Sequence, residues 1–394
     1  MAAALGTDFI GRKGALFGLA LRLSILTVVT LGFYRFWMKT RLRRWYWSAI
    51  RPGGIPLEYV GTPYEKLLGF LIAVVILAFY IGVVNLILMF ASFALFQGNF
   101  AAYLLSFLGL VPLWFYAQYR ARRYVLARTR WRGLRFGLEP GAWGYVGRAM
   151  LYWALTIVSA GLLLPLMTYR LERYRTERTF LGDTRLRQGG GWTMLYRSMR
   201  WLFVAAGLAV AGAGVFASGN QSGGIGLWVV AGLIFGFGLV YYRVDSLRRL
   251  TDTKSLGPVR LALVASPMRI LGIHVAGYLG AGLAVSALAG LFAVLAASAL
   301  PTDTLIRLGL EQMPDIAGPE RWVLVGASVA VYFTIFLLWA ALSHALITLP
   351  VTRHYAQGLS VLAADGLAAI RQRPRDEFTE AEGFAEALDV GASL

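Results

Sequence analysis

Clusters of Lys and Arg beside aromatic residues are the side chains of this sequence best suited to bind a charged ligand. In two runs the arginines recur at a spacing of three residues, which puts them on one helix face. Lys and Arg at a membrane surface attract anionic lipids with roughly 1 kcal/mol each. The pattern predicts a site for lipid or other anionic headgroups, formed by Lys39, Arg41, Arg43, Arg44, Arg120, Arg122, Arg123, Arg170 and Arg173. A simpler interpretation also stays open, in which these charges only orient membrane spans.

Polar residues that interrupt apolar runs are the second group of candidates. They are Arg22, Asn85, His274 and His344. Ionisable residues inside a membrane are costly and often belong to transport or proton paths. His344 is a candidate for proton transfer, although a neutral histidine that bonds a neighbouring helix explains it as well. No acidic residue lies deep in a predicted span, which disfavours proton coupling through a membrane carboxylate.

Motifs of known catalysis are absent from the sequence. It contains no G-x-x-x-x-G-K-[ST] loop, no H-E-x-x-H and no G-x-S-x-G. It has no cysteine, and its three histidines are scattered, which disfavours a metal site. We therefore expect no catalytic residues, no metal, no cofactor and no enzymatic activity. Nucleic-acid binding is disfavoured because the basic residues lie beside predicted spans and no nucleic-acid-binding module is recognisable.

Composition indicates the elements that position these residues. The chain has 394 residues, of which 58% are hydrophobic and only 15% charged, with a net charge of +18. Such hydrophobicity excludes a disordered chain and indicates a polytopic membrane protein. We expect an all-α fold with six to eight transmembrane helices. The predicted spans are clear at residues 67–91, 100–117, 202–217, 225–242, 270–299 and 322–350, and less clear at 15–31 and 150–167.

The distribution of charge predicts the orientation of these spans. Of the 38 Lys and Arg residues, 29 lie in residues 33–66, 118–148, 170–200 and 243–269. Such stretches are typical of the cytoplasmic side. The segment at 150–167 is basic on both flanks, so a single crossing would put a strongly basic stretch outside. Either the segments at 15–31 and 150–167 re-enter, with helix breaks at Gly32 and Gly161, or all eight segments span with an imperfect charge bias.

Internal similarity suggests a duplicated architecture. Residues 24–45 align with residues 153–174, and short alternating stretches follow the basic helix ends. These stretches predict small β-hairpins in the basic cytoplasmic loops. We expect a first membrane repeat at 1–129, a second at 130–257, a helical hairpin at 258–357 and an acidic cytoplasmic tail at 358–394.

Residues 31–46 carry a resemblance to a known family. They read Leu31-Gly32-Phe33-Tyr34-Arg35-Phe36-Trp37-Met38-Lys39-Thr40-Arg41-Leu42-Arg43-Arg44-Trp45-Tyr46. This stretch resembles the signature of the YjgN-like family of bacterial inner-membrane proteins, although Phe36 stands where members often have Pro. The resemblance implies a bacterial inner-membrane location. The function of the family is unknown, so it implies no catalytic residues.

Two functions follow from these observations as hypotheses. Internal duplication and broken helices favour a transporter or permease for a small or lipid-like substrate. The lack of deep charged residues favours a non-transporting envelope scaffold or a lipid-binding membrane protein. In both cases we expect a multi-pass inner-membrane protein with cytoplasmic basic loops, whose partners are membrane lipids, chiefly anionic ones.

Overall fold

Ten short strands form one antiparallel sheet, which is the central feature of the fold. The computed structural model describes residues 4–79, 82–83, 85–96, 100–298 and 319–373. The order of the strands in the sheet is β2-β1-β10-β9-β8-β7-β6-β5-β4-β3. Because β2 and β3 follow each other in the chain, the sheet is nearly closed on itself. The strands are β1 (Leu5–Phe9), β2 (Ile50–Pro52), β3 (Leu57–Tyr59), β4 (Thr129–Trp131), β5 (Leu134–Leu138), β6 (Thr179–Leu181), β7 (Thr184–Gln188), β8 (Lys254–Leu256), β9 (Val259–Leu263) and β10 (Leu359–Leu362).

The prediction of an all-α fold with separate small hairpins is therefore wrong. The short stretches after the basic helix ends do lie in strands, but neighbouring hairpins also pair with each other. The N-terminal strand β1 pairs with both β2 and β10, so strands distant in the sequence lie side by side in the sheet. Pairing between hairpins satisfies backbone groups that isolated hairpins would leave exposed at their edges.

Five connections of the chain leave the sheet and return to it at the same edge. In each case the last residue of one strand pairs with the first residue of the next. One further backbone hydrogen bond extends each of these pairs in the same way. It runs from the N–H just after the first strand to the carbonyl just before the second, as in Ile10 to Ala49, Val60 to Arg128, Glu139 to Arg178, Gly189 to Thr253 and Val264 to Gly358.

Alternation along the strands separates an apolar face from a basic face. In β7, Leu186 packs into a hydrophobic cluster, whereas Arg185 and Arg187 are exposed. Successive strand residues point to opposite faces, and β9 repeats this pattern, with Arg260 exposed between the buried Val259 and the partly buried Leu261. The apolar cluster includes Trp131, Leu181, Leu256, Val259 and Val361.

The C-terminal segment covers the apolar face near the tight turns of the sheet. A 3-10 helix, Ala364–Ala369, and the following Ile370 belong to the same hydrophobic cluster. The segment is then held by polar contacts. Asp183 N–H donates to the Arg371 carbonyl at 2.9 Å, and Arg135 N–H donates to Gln372 Oε1 at 3.0 Å.

Helices occupy the five connections. They are α1 (Lys13–Val29), α2 (Arg35–Ala49), α3 (Pro63–Phe79), α4 (Asn85–Phe96), α5 (Phe100–Ala127), α6 (Ala142–Val158), α7 (Leu164–Thr176), α8 (Arg200–Ala217), α9 (Gln221–Asp252), α10 (Pro267–Ser298), α11 (Pro319–Ser343) and α12 (Leu349–Gly358). A 3-10 helix, Trp192–Met199, precedes α8, and a π-helical turn, His344–Thr348, joins α11 to α12.

Contacts divide the chain into two compact units. The first comprises Met1–Ile10, Arg43–Ile270 and Arg353–Leu394, and it contains all ten strands. The second comprises Gly11–Leu42 and Leu271–Thr352, and in it α1 packs against α11. The predicted boundaries after residues 129, 257 and 357 stay predictions. Residues 299–318 and most of the acidic tail, from 374 onward, lie outside the described residues.

Four helices of the described chain are long and apolar enough to span a membrane: Trp192–Ala217, Gln221–Asp252, Pro267–Leu295 and Val325–Gly358. The chain is thus compatible with a membrane protein, but the prediction of six to eight transmembrane helices is wrong for the described residues. The predicted spans 67–91 and 100–117 contain or adjoin residues outside the described part. The segments at 15–31 and 150–167 instead form halves of helical hairpins whose second helices, α2 and α7, are polar and basic.

Candidate functional site

A buried carboxylate surrounded by three cations is the densest charged cluster at the helix-bearing edge of the sheet. Glu172, on α7, is 8% exposed. Its Oε1 lies 2.6 Å from Lys254 Nζ and 3.6 Å from Arg122 Nη2, and its Oε2 lies 2.7 Å from Arg175 Nη2. Thr176 Oγ1 lies 3.4 Å from Oε1 and donates to it. The cluster thus joins α5, α7 and β8.

The electrostatics of this cluster keep its carboxylate ionised. Burial alone would raise the pKa of Glu172, but Lys254, Arg175 and Arg122 together hold that pKa well below its ordinary value. Burial lowers the pKa of Arg122, which Glu172 partly offsets. Three cations and one carboxylate give a formal net charge of +2 in a mostly buried place. Buried charge that lacks a counter-charge is costly, so the excess positive charge favours an anion.

Three aromatic rings lie beside the arginines of this cluster. Tyr119, Tyr145 and Tyr174 pack against one another as tilted rings, with ring centroids 5.5 to 6.1 Å apart. The Arg175 guanidinium lies 5.7 Å from the Tyr145 ring centroid. Tyr119 and Tyr174 donate hydrogen bonds to the Glu139 and Gly141 carbonyls, at 2.7 and 2.9 Å.

Several of the predicted headgroup residues hold the fold together. Arg44 Nη2 donates to the Gly61 carbonyl at 2.8 Å, and Arg123 Nε donates to the Leu138 carbonyl at 3.2 Å. Each arginine thereby links the helix before a strand to the end of the neighbouring strand. Arg43 is buried, and its Nη1 donates to the Tyr59 hydroxyl at 3.3 Å. The guanidinium groups of Arg43, Arg44 and Arg123 therefore make hydrogen bonds that stabilise the fold.

The other predicted headgroup residues are half-buried or exposed. Arg41 and Arg120 lie over the rings of Tyr34 and Tyr116, at 5.9 and 5.7 Å. Lys39 is half-buried on α2. On α7, Arg170 and Arg173 are exposed, and Arg173 pairs with Glu177 at 2.6 Å. Of the predicted residues, the structure therefore brings Arg122 on α5 into the buried cluster, whereas Arg170 and Arg173 lie on the exposed surface of α7.

The polar residues of the apolar runs are dispersed. Arg22 is exposed on α1, and His274 lies 6.1 Å from the Tyr278 ring on α10. His344 begins the π-helical turn. Asn85 begins α4, but its side chain lies outside the described residues. In the described part of the chain, no group of three or more His, Asp or Glu residues is arranged to hold a metal ion.

Gly32 and Gly161 both lie at a helix break with the same backbone geometry. Gly32 has φ 92° and Gly161 has φ 87°, each preceded by a residue with φ near 50°. Gly32 N–H donates to the Thr27 carbonyl at 2.7 Å, and Gly161 N–H donates to the Thr156 carbonyl at 2.8 Å. This is the Schellman ending of a helix, in which Leu31 and Ala160 take the left-handed position and the glycine follows with a positive φ that strains other residues.

Sequence reasoning missed Glu172, Arg175, Lys254 and Tyr145. One signal was available for Glu172, because it is the only acid among the three charged residues from Arg170 to Arg173 and precedes Arg175. A lone acid within a basic run often marks a buried ion pair. Lys254 and Tyr145 carry no such signal, since only the sheet pairing and the helix packing bring them to α7.

Comparison with known proteins adds one match. The profile of a family described as bacterial protein of unknown function (DUF898) matches residues 4–276. No curated protein and no solved structure matches the chain. The family match confirms the resemblance inferred from residues 31–46. The chain belongs to this YjgN-like bacterial family of unknown function, DUF898.

Proposed function

We propose that the chain is a multi-pass protein of the bacterial inner membrane that binds anionic lipids, with its sheet on the cytoplasmic side. On this proposal it is a binding protein rather than an enzyme, needs no cofactor and does not bind nucleic acid. Its four long apolar helices support the membrane location. The family match supports a bacterial origin.

The path of the chain is the observation that carries this proposal. Every helical connection begins and ends at one edge of one sheet. Both ends of each connection must then lie on the same side of a membrane, so spans occur in pairs, as α8–α9 and α10–α11 do. Each of the four basic stretches contains two of the ten strands. The positive-inside rule therefore favours a cytoplasmic sheet.

The same argument favours re-entrant or interfacial hairpins at α1–α2 and α6–α7. Both hairpins return to the edge of the sheet from which they leave. Their tips are apolar and open, since Leu31 is 91% exposed and Val158 is 87% exposed. We propose that these tips insert into the membrane without crossing it, because exposed apolar side chains gain free energy when they leave water.

Arg170 is the residue best placed for a lipid headgroup. It lies eight residues beyond Leu162 at the hairpin tip, or about 12 Å along a helix. A tip inserted to roughly mid-leaflet would bring Arg170 near the phosphates. Arg170 has no hydrogen bond or ion pair in the described chain, whereas Arg173 pairs with Glu177.

Native mass spectrometry of the detergent-solubilised chain tests this proposal. We expect retention of phosphatidylglycerol over phosphatidylcholine, and fewer phosphatidylglycerol adducts in Arg170→Gln. Arg187→Gln is the matched control, because Arg187 is also exposed but lies on β7. Equal retention of both lipids by the wild type, or equal losses in the two variants, would contradict lipid binding at the helix end.

Transport is a second candidate, favoured by the π-helical turn in the last candidate span. Such turns interrupt the regular hydrogen bonds of a helix and are frequent at functional sites. The turn also packs tightly, since a Cβ at Gly277 would lie 2.5 Å from Ile347 Cγ1. Proteoliposomes with a fluorescent phosphatidylglycerol test lipid transport. Dithionite added outside bleaches only the outer leaflet, so we expect transport to expose the lipid of the inner leaflet and to make bleaching complete. The bleaching of the inner-leaflet lipid should be slower for His344→Ala than for His274→Ala. Bleaching confined to the outer leaflet would refute lipid transport.

A further inference from the structure

A set of unused hydrogen-bond donors lies beside the buried carboxylate of Glu172. Tyr145 is 2% exposed, yet its hydroxyl has no hydrogen bond within the described chain. Arg122 approaches Glu172 only to 3.6 Å, and its guanidinium makes no hydrogen bond with any described residue. Arg175 Nε is buried and also has no partner there. Of these donors, Arg175 Nε is itself buried, and such a donor costs free energy unless a ligand or water accepts its hydrogen bond.

The charge of the cluster identifies the chemistry of the missing acceptor. Glu172 already receives the ammonium of Lys254 and one nitrogen of Arg175. The remaining donors therefore belong to two guanidinium groups and one phenol, with a formal excess of two positive charges. An acceptor with several oxygens and about two negative charges fits this set, and guanidinium groups bind such anions with paired hydrogen bonds.

We propose that Arg122, Tyr145 and Arg175 bind a phosphate group, with Glu172 and Lys254 holding Arg175 and the helix pair in place. Inorganic phosphate and the phosphomonoester of a lipid headgroup present the same chemistry. A phosphate group can reach the site from solvent beside Arg122, because about a third of the Arg122 side chain is exposed. The site is separate from the surface arginine Arg170, so it does not depend on lipid binding there.

Thermal unfolding of the full chain in detergent tests the site, with inorganic phosphate compared with chloride at equal ionic strength. We expect phosphate to raise the unfolding temperature of the wild type in a saturable way. Tyr145→Phe removes only the unpaired hydroxyl and should weaken phosphate affinity about tenfold. Arg122→Gln should weaken it by at least as much. Because its side chain is partly exposed and its ion pair with Glu172 is long, at 3.6 Å, we expect that variant to fold.

Tyr169→Phe is the matched control. Tyr169 is a buried tyrosine on α7 whose hydroxyl donates to the Gly190 carbonyl at 2.7 Å. This variant should lose stability and keep the phosphate affinity of the wild type. Equal phosphate affinities of the wild type, Tyr145→Phe and Arg122→Gln would overturn the proposal.

A second arm distinguishes the two sources of phosphate. The chain is titrated with phosphatidic acid or phosphatidylcholine in micelles, with and without inorganic phosphate. Stabilisation by phosphatidic acid that adds less when inorganic phosphate is already bound shows that both occupy one site and assigns it to a headgroup, whereas stabilisation by inorganic phosphate alone assigns it to the free ion. Absence of stabilisation by both would overturn the site. Arg170→Gln should keep the phosphate affinity, so failure of lipid binding at the helix end and failure of this site are separate results.

Discussion

Replacement of Glu172 by Gln is the perturbation whose magnitude follows most directly from the structure. The substitution keeps the size of the side chain and removes the charge that faces Lys254, Arg175 and Arg122. The formal charge of the cluster rises from +2 to +3 in a buried place. Removal of one partner from a buried ion pair costs about 3 to 5 kcal/mol. Domains of about 150 to 250 residues lose roughly 2 to 4 °C per kcal/mol, so for this longer chain of 394 residues we expect a fall in unfolding temperature of at most about 20 °C.

Glu177→Gln is the matched control for this prediction. Glu177 lies on the exposed side of the same region and pairs with Arg173, and both side chains are more than a third exposed. An exposed pair contributes less than about 1 kcal/mol, so we expect a small shift. The assay is thermal unfolding of the two variants and the wild type in one detergent. Equal shifts for the two variants would refute the claim that Glu172 is a buried charge centre.

Three further predictions concern pH, a helix break and the C-terminal segment. Because the pKa of Glu172 is lower in the folded state than in the unfolded state, its ionisation stabilises the fold above the ordinary carboxyl pKa, and this contribution is lost as pH falls through the folded-state pKa. The difference in unfolding free energy between the wild type and Glu172→Gln should therefore stay constant from pH 8 to about 5.5 and narrow below about 4.5. Gly161→Ala should cost roughly 1 to 2 kcal/mol of unfolding free energy because of the positive φ, whereas Gly147→Ala, within α6, should stabilise the chain by up to about 1 kcal/mol. Chemical unfolding in detergent measures both changes, and changes of the same sign would contradict the reasoning. Leu367→Ala should lower the unfolding free energy by about 2 to 5 kcal/mol and speed proteolysis of the sheet. Leu362→Ala is the control, because Leu362 is half-exposed; an equal loss of unfolding free energy in the two variants would show that the C-terminal segment does not cover the core.

Local features of the fold were accessible from the sequence. Alternation at 184–187 and 259–263 predicts strands, and the structure has β7 and β9 there. The glycines at the two helix breaks were also identifiable, because each ends an apolar run before a basic one. Both inferences depend on neighbouring residues, whose spacing the sequence records directly.

The closed sheet was not accessible, because its register depends on contacts between distant residues. Leu5 pairs with Val361, and Gln188 pairs with Lys254. Strands of three to five residues carry too little pattern to specify such partners. The predicted number of transmembrane helices was wrong for a related reason. An apolar run such as 150–167 has the same composition whether it crosses a membrane or turns back at Gly161.

The buried cluster shows the same limit at the level of single residues. Arg122 was identified as an anion-binding candidate from its basic run, but the run does not distinguish it from Arg123, which bonds to the Leu138 carbonyl. The distinction arises from the side of α5 that faces α7. Packing, rather than composition, therefore decides which arginines of a basic run are available to a ligand.

The most direct test of the central claim is the sidedness of single cysteines, since the chain has no native cysteine. Ser218, in the exposed turn between α8 and α9, and Arg185, exposed on β7, are replaced one at a time. A membrane-impermeant maleimide is applied to intact spheroplasts and to permeabilised ones. The account predicts that Ser218→Cys reacts in intact spheroplasts and that Arg185→Cys reacts only after permeabilisation. Reaction of Arg185→Cys in intact spheroplasts would contradict a cytoplasmic sheet held by paired membrane spans.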